Sequence, residues 1–161
     1  MDQNEWKPWK HFSIHGEPKG QKRHRHRVVQ TEGKKPFATT YDPSAKDKAA
    51  FALLASQFAP DVPLDVPLCV NLVCYMPYSK THMGTGRNAG KPKPSAPLFH
   101  TKTPDIDNLA KFVYDALSGL FWRDDSIIIS GTTTKMYSVD PETYVWIGIR
   151  SEDLDKAEGS K

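Results

Sequence analysis

TPDIDNLAKFVYDALSGLFWRDD, residues 103–125, decides how the rest of this chain of 161 residues is read. Leu109, Phe112, Val113, Ala116, Leu117 and Leu120 recur at the spacing of one continuous helical face. Pro104 suits the approach to that helix, Asp105 and Asp107 its N-terminal end, and Ser118-Gly119 its stop. Acids stand at both ends of the stretch: Asp105 and Asp107 open it, Asp124 and Asp125 close it.

Each acid taken singly has a plain structural reading. Asp107 serves as an N-cap, and Lys111 pairs with Asp107 or Asp115 across one helical turn. The first two acids together ask for more. In extended backbone Asp105 and Asp107 project to one side while Ile106 turns inward. Two like charges held so close repel unless a cation sits between them. Hard oxygen donors in a partly open site suit Mg²⁺, or Mn²⁺ in its place, and such an ion supports hydrolysis of a phosphodiester backbone.

Asp124 and Asp125 join the first pair only on a geometric condition. A helix over residues 107–118 is about 18 Å long at about 1.5 Å per residue. The seven residues 118–124 reach roughly 23 Å when extended, so a return along the helix is possible but nearly taut. Otherwise the second pair serves a site in a partner subunit.

Charge along the chain is uneven. Residues 17–35 hold seven Lys/Arg against two Glu, and residues 79–103 hold five Lys/Arg and no acid. Residues 105–125 hold five Asp against Lys111 and Arg123, in a chain whose overall net charge is only +3. Two basic segments around one acidic one suit a polyanion gripped broadly and attacked at one point. Candidate phosphate contacts are Lys19, Lys22, Arg23, Arg25 and Arg27 on a hairpin or extended arm, then Lys80, Arg87, Lys91, Lys93 and Lys102, with Lys135 later. The bland readings are a solvated loop, an ordinary insertion and a water-facing lysine.

The remaining chain sets a fold class. Residues 1–10 read as loosely tied, with Trp6 and Trp9 available to dock, and residues 11–15 as a first strand. FATTY, residues 37–41, has strand composition. A helix is expected over residues 44–58, with Phe51, Leu54 and Phe58 on its core face and Lys46 and Lys48 solvated. LCVNLVCYM, residues 68–76, reads as a central strand covered on both faces, interrupted only by Asn71. Residues 78–103 form a long basic loop without periodicity, of the kind that orders on nucleic acid. Residues 126–137 read as a half-exposed strand, and TYVWIGI, residues 143–149, as a last strand pairing back on it as a hairpin. The class is α+β: a mixed, mainly antiparallel sheet of four or five strands with two main helices, as one domain over residues 1–150. Residues 151–161 are expected to be a disordered charged tail. Cys69 and Cys74 lie five apart on one strand, point to opposite faces and read as buried filler rather than a disulfide or zinc site. No apolar run reaches membrane-spanning length and no signal-peptide pattern opens the chain, so the expected location is the cytoplasm.

The central motif also resembles a family. PDIDNLAK, DALSG and WRDDSI, with Gly16-x-Pro18-x-Gly20, PLDVPLCV at residues 63–70 and a strand bearing Lys135, are similar to the RusA-like Holliday junction resolvases common in phages and prophages. The resemblance spans most of residues 12–149. It implies an Mg²⁺-dependent endodeoxyribonuclease, acting as a homodimer on four-way DNA junctions with paired symmetric nicks. Matched by position, it implies Asp105, Asp107 and Asp125 as metal-binding acids, Lys111 as a catalytic cation and Asp124 as a weaker candidate for the metal, or a residue that orients its neighbour. Members often carry Lys or Arg around the first Asp. Here Thr103-Pro104 stands there, and Lys102 is the substitute charge. Two other functions fit the residues: a metal-dependent nuclease for flaps or forks, and a junction-binding protein without catalysis.

Overall fold

Leu68, Val70, Leu72, Cys74 and Met76 alternate along β4 (Leu68–Pro77), and all five are buried. In the computed structural model, which describes residues 5–157, this strand is the middle of the main sheet. On one edge β4 runs antiparallel to β7 (Glu142–Arg150). On the other it runs parallel to β5 (Ile128–Ser130) and then β6 (Thr133–Ser138). β1 (Trp6–His15) completes the sheet, antiparallel to the far edge of β7. β2 (Arg25–Val29) and β3 (Phe37–Tyr41) form a separate antiparallel ribbon. The helices are α1 (Ala45–Ala55), α2 (Ile106–Leu117) and the short α3 (Leu154–Ala157). A mixed sheet of this size with two main helices is the expected α+β class.

The helical face read from the sequence is the buried one. Leu109, Phe112, Val113, Ala116 and Leu117 are buried, and Leu120 packs against the same core. Connecting β4 to β6 in parallel requires a crossover, and α2 is that crossover, so its apolar face has the sheet to bury against. α1 packs against α2 through an edge-on contact of Phe51 with Phe112, ring centroids 5.7 Å apart.

After α2 the chain turns on two fully buried aromatics, Phe121 and Trp122. Trp122 Nε1 donates to Ser118 Oγ at 3.2 Å. The Leu64 amide donates to the Phe121 carbonyl, and the Arg123 amide to that of Leu64, each at 2.9 Å. This stitching ties residues 121–123 to the segment leading into β4. Between β5 and β6 the backbone crosses Val70 so closely that a Cβ on Gly131, with φ of +156°, would lie 2.0 Å from the Val70 carbonyl oxygen. Asn71, the polar interruption in β4, has a use here: its Oδ1 accepts from the Thr132 amide at 2.9 Å and hydroxyl at 3.0 Å.

Several expectations change. β7 does not form a hairpin with β6, because β4 lies between them. The buried alternation of Thr143, Val145, Ile147 and Ile149 is satisfied between β1 and β4 instead, and alternation alone never names the neighbouring strand. β4 is fully buried on one face only, since Asn71, Val73 and Tyr75 are half-buried. β1 starts at Trp6, five residues before the expected strand, and Trp9 packs on the core. Within α1, Leu54 is 51% exposed, while Ala55 takes the buried position beside Phe51 and Phe58. Residues 151–157 form a 3₁₀ turn and α3, with Leu154 and Ala157 against the core, where a disordered tail was expected. Residues 158–161 of that tail, and residues 1–4 of the loosely tied start, lie outside the described residues. Cys69 and Cys74 are both free and buried, as read. No helix among the described residues is long and apolar enough to cross a membrane.

Truncating Trp122 removes a ring with no exposed surface and the turn it anchors. Trp122→Ala is expected to cost about 3–5 kcal/mol, read as a lowered urea midpoint.

Candidate active site

The N-terminal end of α2 is where the candidate residues gather. Asp105 is the N-cap residue, with extended backbone, and Asp107 lies in the first turn. Helix therefore begins at Ile106. The extended-backbone picture of the pair gives way: Ile106 is 48% exposed rather than turned inward. Neither acid is the capping device that the plain reading made of Asp107. The Asp105 side chain makes no capping hydrogen bond, and among the described residues Asp105 and Asp107 are exposed carboxylates without a hydrogen bond or ion pair. The positive end of the helix dipole favours their charge, by about 0.3–1 kcal/mol each where exposed.

Lys111 lies one turn further along the exposed side of α2, with Nζ 3.5 Å from Asp115 Oδ1. Of its two possible partners it takes Asp115, leaving Asp107 free. Asp115 also meets Lys48 Nζ at 3.3 Å, and Lys48 forms an ion pair with Asp42. Lys48, expected to be a solvated charge, is only 17% exposed along its side chain and joins α1 to α2. Asp42 further accepts from the Ser44 amide at 2.8 Å and from Gln21 Nε2 at 2.9 Å. Burial pushes the Asp42 carboxyl up, but Lys48, the Ser44 amide and Gln21 outweigh it and hold the pKa at about 2. Burial lowers Lys48, and its two carboxylate partners more than reverse that and raise it. No sequence signal distinguishes Lys48 from Lys46.

Both basic segments reach this end of the helix. Residues 16–24 lie across its start: the Gln21 amide donates to the Asn108 carbonyl at 2.8 Å. A Cβ on Gly20 would lie 2.6 Å from Pro104 Cβ, so glycine permits that contact. Lys19, Lys22 and Arg23 are exposed on this loop, and Arg25 and Arg27 on β2, with the Arg27 guanidinium 5.9 Å from the Tyr41 ring centre. The long basic loop is more built than expected. Residues 80–82 and 86–88 form 3₁₀ turns, Lys93 Nζ donates to the Thr81 carbonyl at 2.9 Å, and Phe99 bridges antiparallel to Met136 of β6. Lys80, Arg87, Lys91, Lys93 and Lys102 are exposed. Lys135 differs: it is half-buried, and its Nζ donates to the carbonyls of Lys102 at 2.6 Å and Pro104 at 2.8 Å.

The second acidic pair lies elsewhere. Ile128, three residues past Asp125, pairs with Leu68 at the start of β4, whereas Lys135, beside Cys74, reaches the residues just before Asp105. A helix of 12 residues, about 18 Å, separates the two pairs. The chain does run back along α2, but as β5 and β6, with Asp124 and Asp125 left at the turn. Asp124 Oδ1 accepts from the Ser126 amide at 3.0 Å, and the Ser126 hydroxyl and amide hold its carboxyl below the usual range. Asp125 is half-buried, and its carboxylate makes no hydrogen bond or ion pair. No group of three His, Cys, Asp or Glu among the described residues converges as a metal centre. The pair Asp105 and Asp107 has the donor chemistry and the freedom that a hard divalent ion requires.

The family model of endodeoxyribonuclease RusA matches residues 15–148, nearly the whole folded chain. The chain belongs to the RusA endodeoxyribonuclease family. A relative from Bacillus subtilis strain 168, the uncharacterized protein YqaN, is 32% identical over 138 residues, covering 84% of this chain and 93% of the relative. RusA membership makes this protein an endonuclease, a hydrolase of DNA phosphodiesters. The match includes both acidic pairs, Lys111 and the first basic segment.

The Asp42–Lys48–Asp115 network predicts acid sensitivity. A carboxyl whose folded pKa is depressed stabilises the fold fully above its unfolded value and loses that contribution as pH falls. For Asp42 the window runs from about 4 down to about 2. Asp42→Asn is expected to cost about 1–3 kcal/mol at pH 7. Urea midpoints between pH 6 and pH 2 should show the difference between variant and parent shrinking across that window.

Proposed function

We propose that this protein cuts four-way DNA junctions as a homodimer that requires Mg²⁺, with Mn²⁺ able to replace it. The observation that carries the reading is the meeting, at one helix end, of two unpaired carboxylates and two basic segments in a RusA-family chain. A polyanion is attracted to the exposed lysines and arginines, while the two acids repel it unless a cation sits on them.

Asp105 and Asp107 hold the ion, and Asp125 is the third ligand. Bound there, a divalent ion withdraws charge from the scissile phosphate and makes water a better nucleophile. The chain's own groups do the rest. Lys111 offers positive charge one turn from Asp107, against the negative charge that develops on the phosphate. Lys19, Lys22, Arg23, Arg25 and Arg27 take phosphates on one side of the branch, and Lys80, Arg87, Lys91, Lys93 and Lys102 those on the other. Asp124, tied to Ser126, fixes the backbone from which Asp125 projects.

The length of α2 between Asp107 and Asp125 favours a site completed by the partner protomer. A two-fold dimer then presents two such sites to a substrate of near two-fold symmetry that needs two cuts.

With Mg²⁺ the protein is expected to nick a synthetic four-way junction in paired strands, and faster than flap, fork or duplex at equal protein. Without divalent ion it should bind but not cut. Binding with no nicking under any ion points instead to a junction-binding role, and equal rates across the panel to a broader nuclease. Asp107→Asn should reduce cleavage on the order of 100-fold while leaving junction affinity within about threefold. Asp107→Asn and Asp125→Asn, each inactive alone, should regain one nick per junction when mixed as heterodimers. A mixture as inactive as either parent places Asp125 in the same protomer as Asp107.

A further inference from the structure

Lys135 has an unusual position for a lysine read as a phosphate contact. It lies on β6, paired with Cys74 of the central strand, and it is half-buried where the other basic candidates are exposed. Its ammonium donates two short hydrogen bonds to main-chain carbonyls, those of Lys102 and Pro104. Those carbonyls bracket the Thr103–Pro104 peptide immediately before Asp105. On the other side the His100 amide donates to the Lys135 carbonyl at 3.2 Å, so one residue fastens the segment at both of its ends. Gly20 also packs closely against the Pro104 ring, leaving the segment little room to shift.

We propose that Lys135 is a positioning residue for the metal site: it sets the backbone from which the Asp105 carboxylate projects and does not contact DNA. This rests on Asp105 being a ligand of the ion. The physical basis is the connection it makes. Asp105 has no side-chain partner of its own; its carbonyl accepts from the Leu109 amide at 3.1 Å, but on its N-terminal side the backbone is extended and only the preceding residues hold it. The link through Pro104 to a lysine on the buried sheet supplies that rigidity, as outer groups around metal ligands do in general. Two of an ammonium's three donors are already taken by carbonyls, which leaves little for a phosphate.

Full-length Lys135→Met, Lys135→Gln and Lys135→Arg separate positioning from DNA contact. Mn²⁺ affinity of the DNA-free protein, by calorimetry, should fall about 10- to 100-fold in Lys135→Met, with the half-saturating Mg²⁺ for junction cleavage rising by a similar factor. Lys135→Arg, which still donates to carbonyls, should stay within about threefold of the parent. Junction binding in EDTA should keep the parent's affinity and its slope against log salt. A phosphate contact predicts the reverse: the slope reduced by about one, weaker binding in EDTA and unchanged Mn²⁺ affinity. Either that pattern or no change at all overturns the proposal. If thermal melting shows that Lys135→Met is unfolded at the assay temperature, the same two readouts on Lys135→Gln decide. Asp105→Asn with undiminished Mn²⁺ affinity would instead remove Asp105 from the ligands, a failure of the site reading whatever Lys135 does.

Discussion

Burial of one face of α2 against the even-numbered residues of β4 is the constraint from which the rest of the structure follows. β4 has both edges paired, so the chain leaving it can rejoin its free-running neighbours in parallel only by crossing the sheet. α2 makes that crossing with a continuous apolar face, and its length sets how far apart its two ends are held. The N-terminal end is brought beside the top of β6, and the C-terminal end beside the approach to β4. Phe121 and Trp122 lock the second end by burial, and Lys135 ties the first by hydrogen bonds.

Electrostatics divides the acids of the molecule into two kinds. Asp42, Asp65, Asp115, Glu142 and Asp153 each stand beside a basic side chain, and several of those pairs hold elements together. Others among the described residues do not, including Glu17, Asp61, Asp140, Asp105, Asp107 and Asp125. Of these, Asp105 and Asp107 lie at the helix end that both basic segments reach, interaction capacity that folding has not used. In a nuclease family, a divalent cation matches the chemistry of such carboxylates, and a phosphate that of the basic segments beside them.

Much of this was legible in the chain itself. The α2 face, the central strand, the free cysteines and the acidic pair at the helix start all follow from periodicity and residue type, which act over a few neighbours. What escaped was pairing over distance. The hairpin expected of β6 and β7 fails because β4 intervenes. Lys48 reads as solvent-facing until Asp42 and Asp115 are brought to it from elsewhere. Lys135 reads as one more cation until the carbonyls of Lys102 and Pro104 come within reach.

Sequence alone determined the chemistry available: which carboxylates exist, how they are spaced about a helix, and that basic segments flank them. Those properties are local, since a helix puts its residues at fixed intervals whatever surrounds it. Tertiary structure alone decided which of them meet. It gathered Asp105 and Asp107 with both basic segments at one end of α2, and it left Asp124 and Asp125 at the other. The reason is that a rigid helix of about 18 Å holds its two ends at a fixed separation.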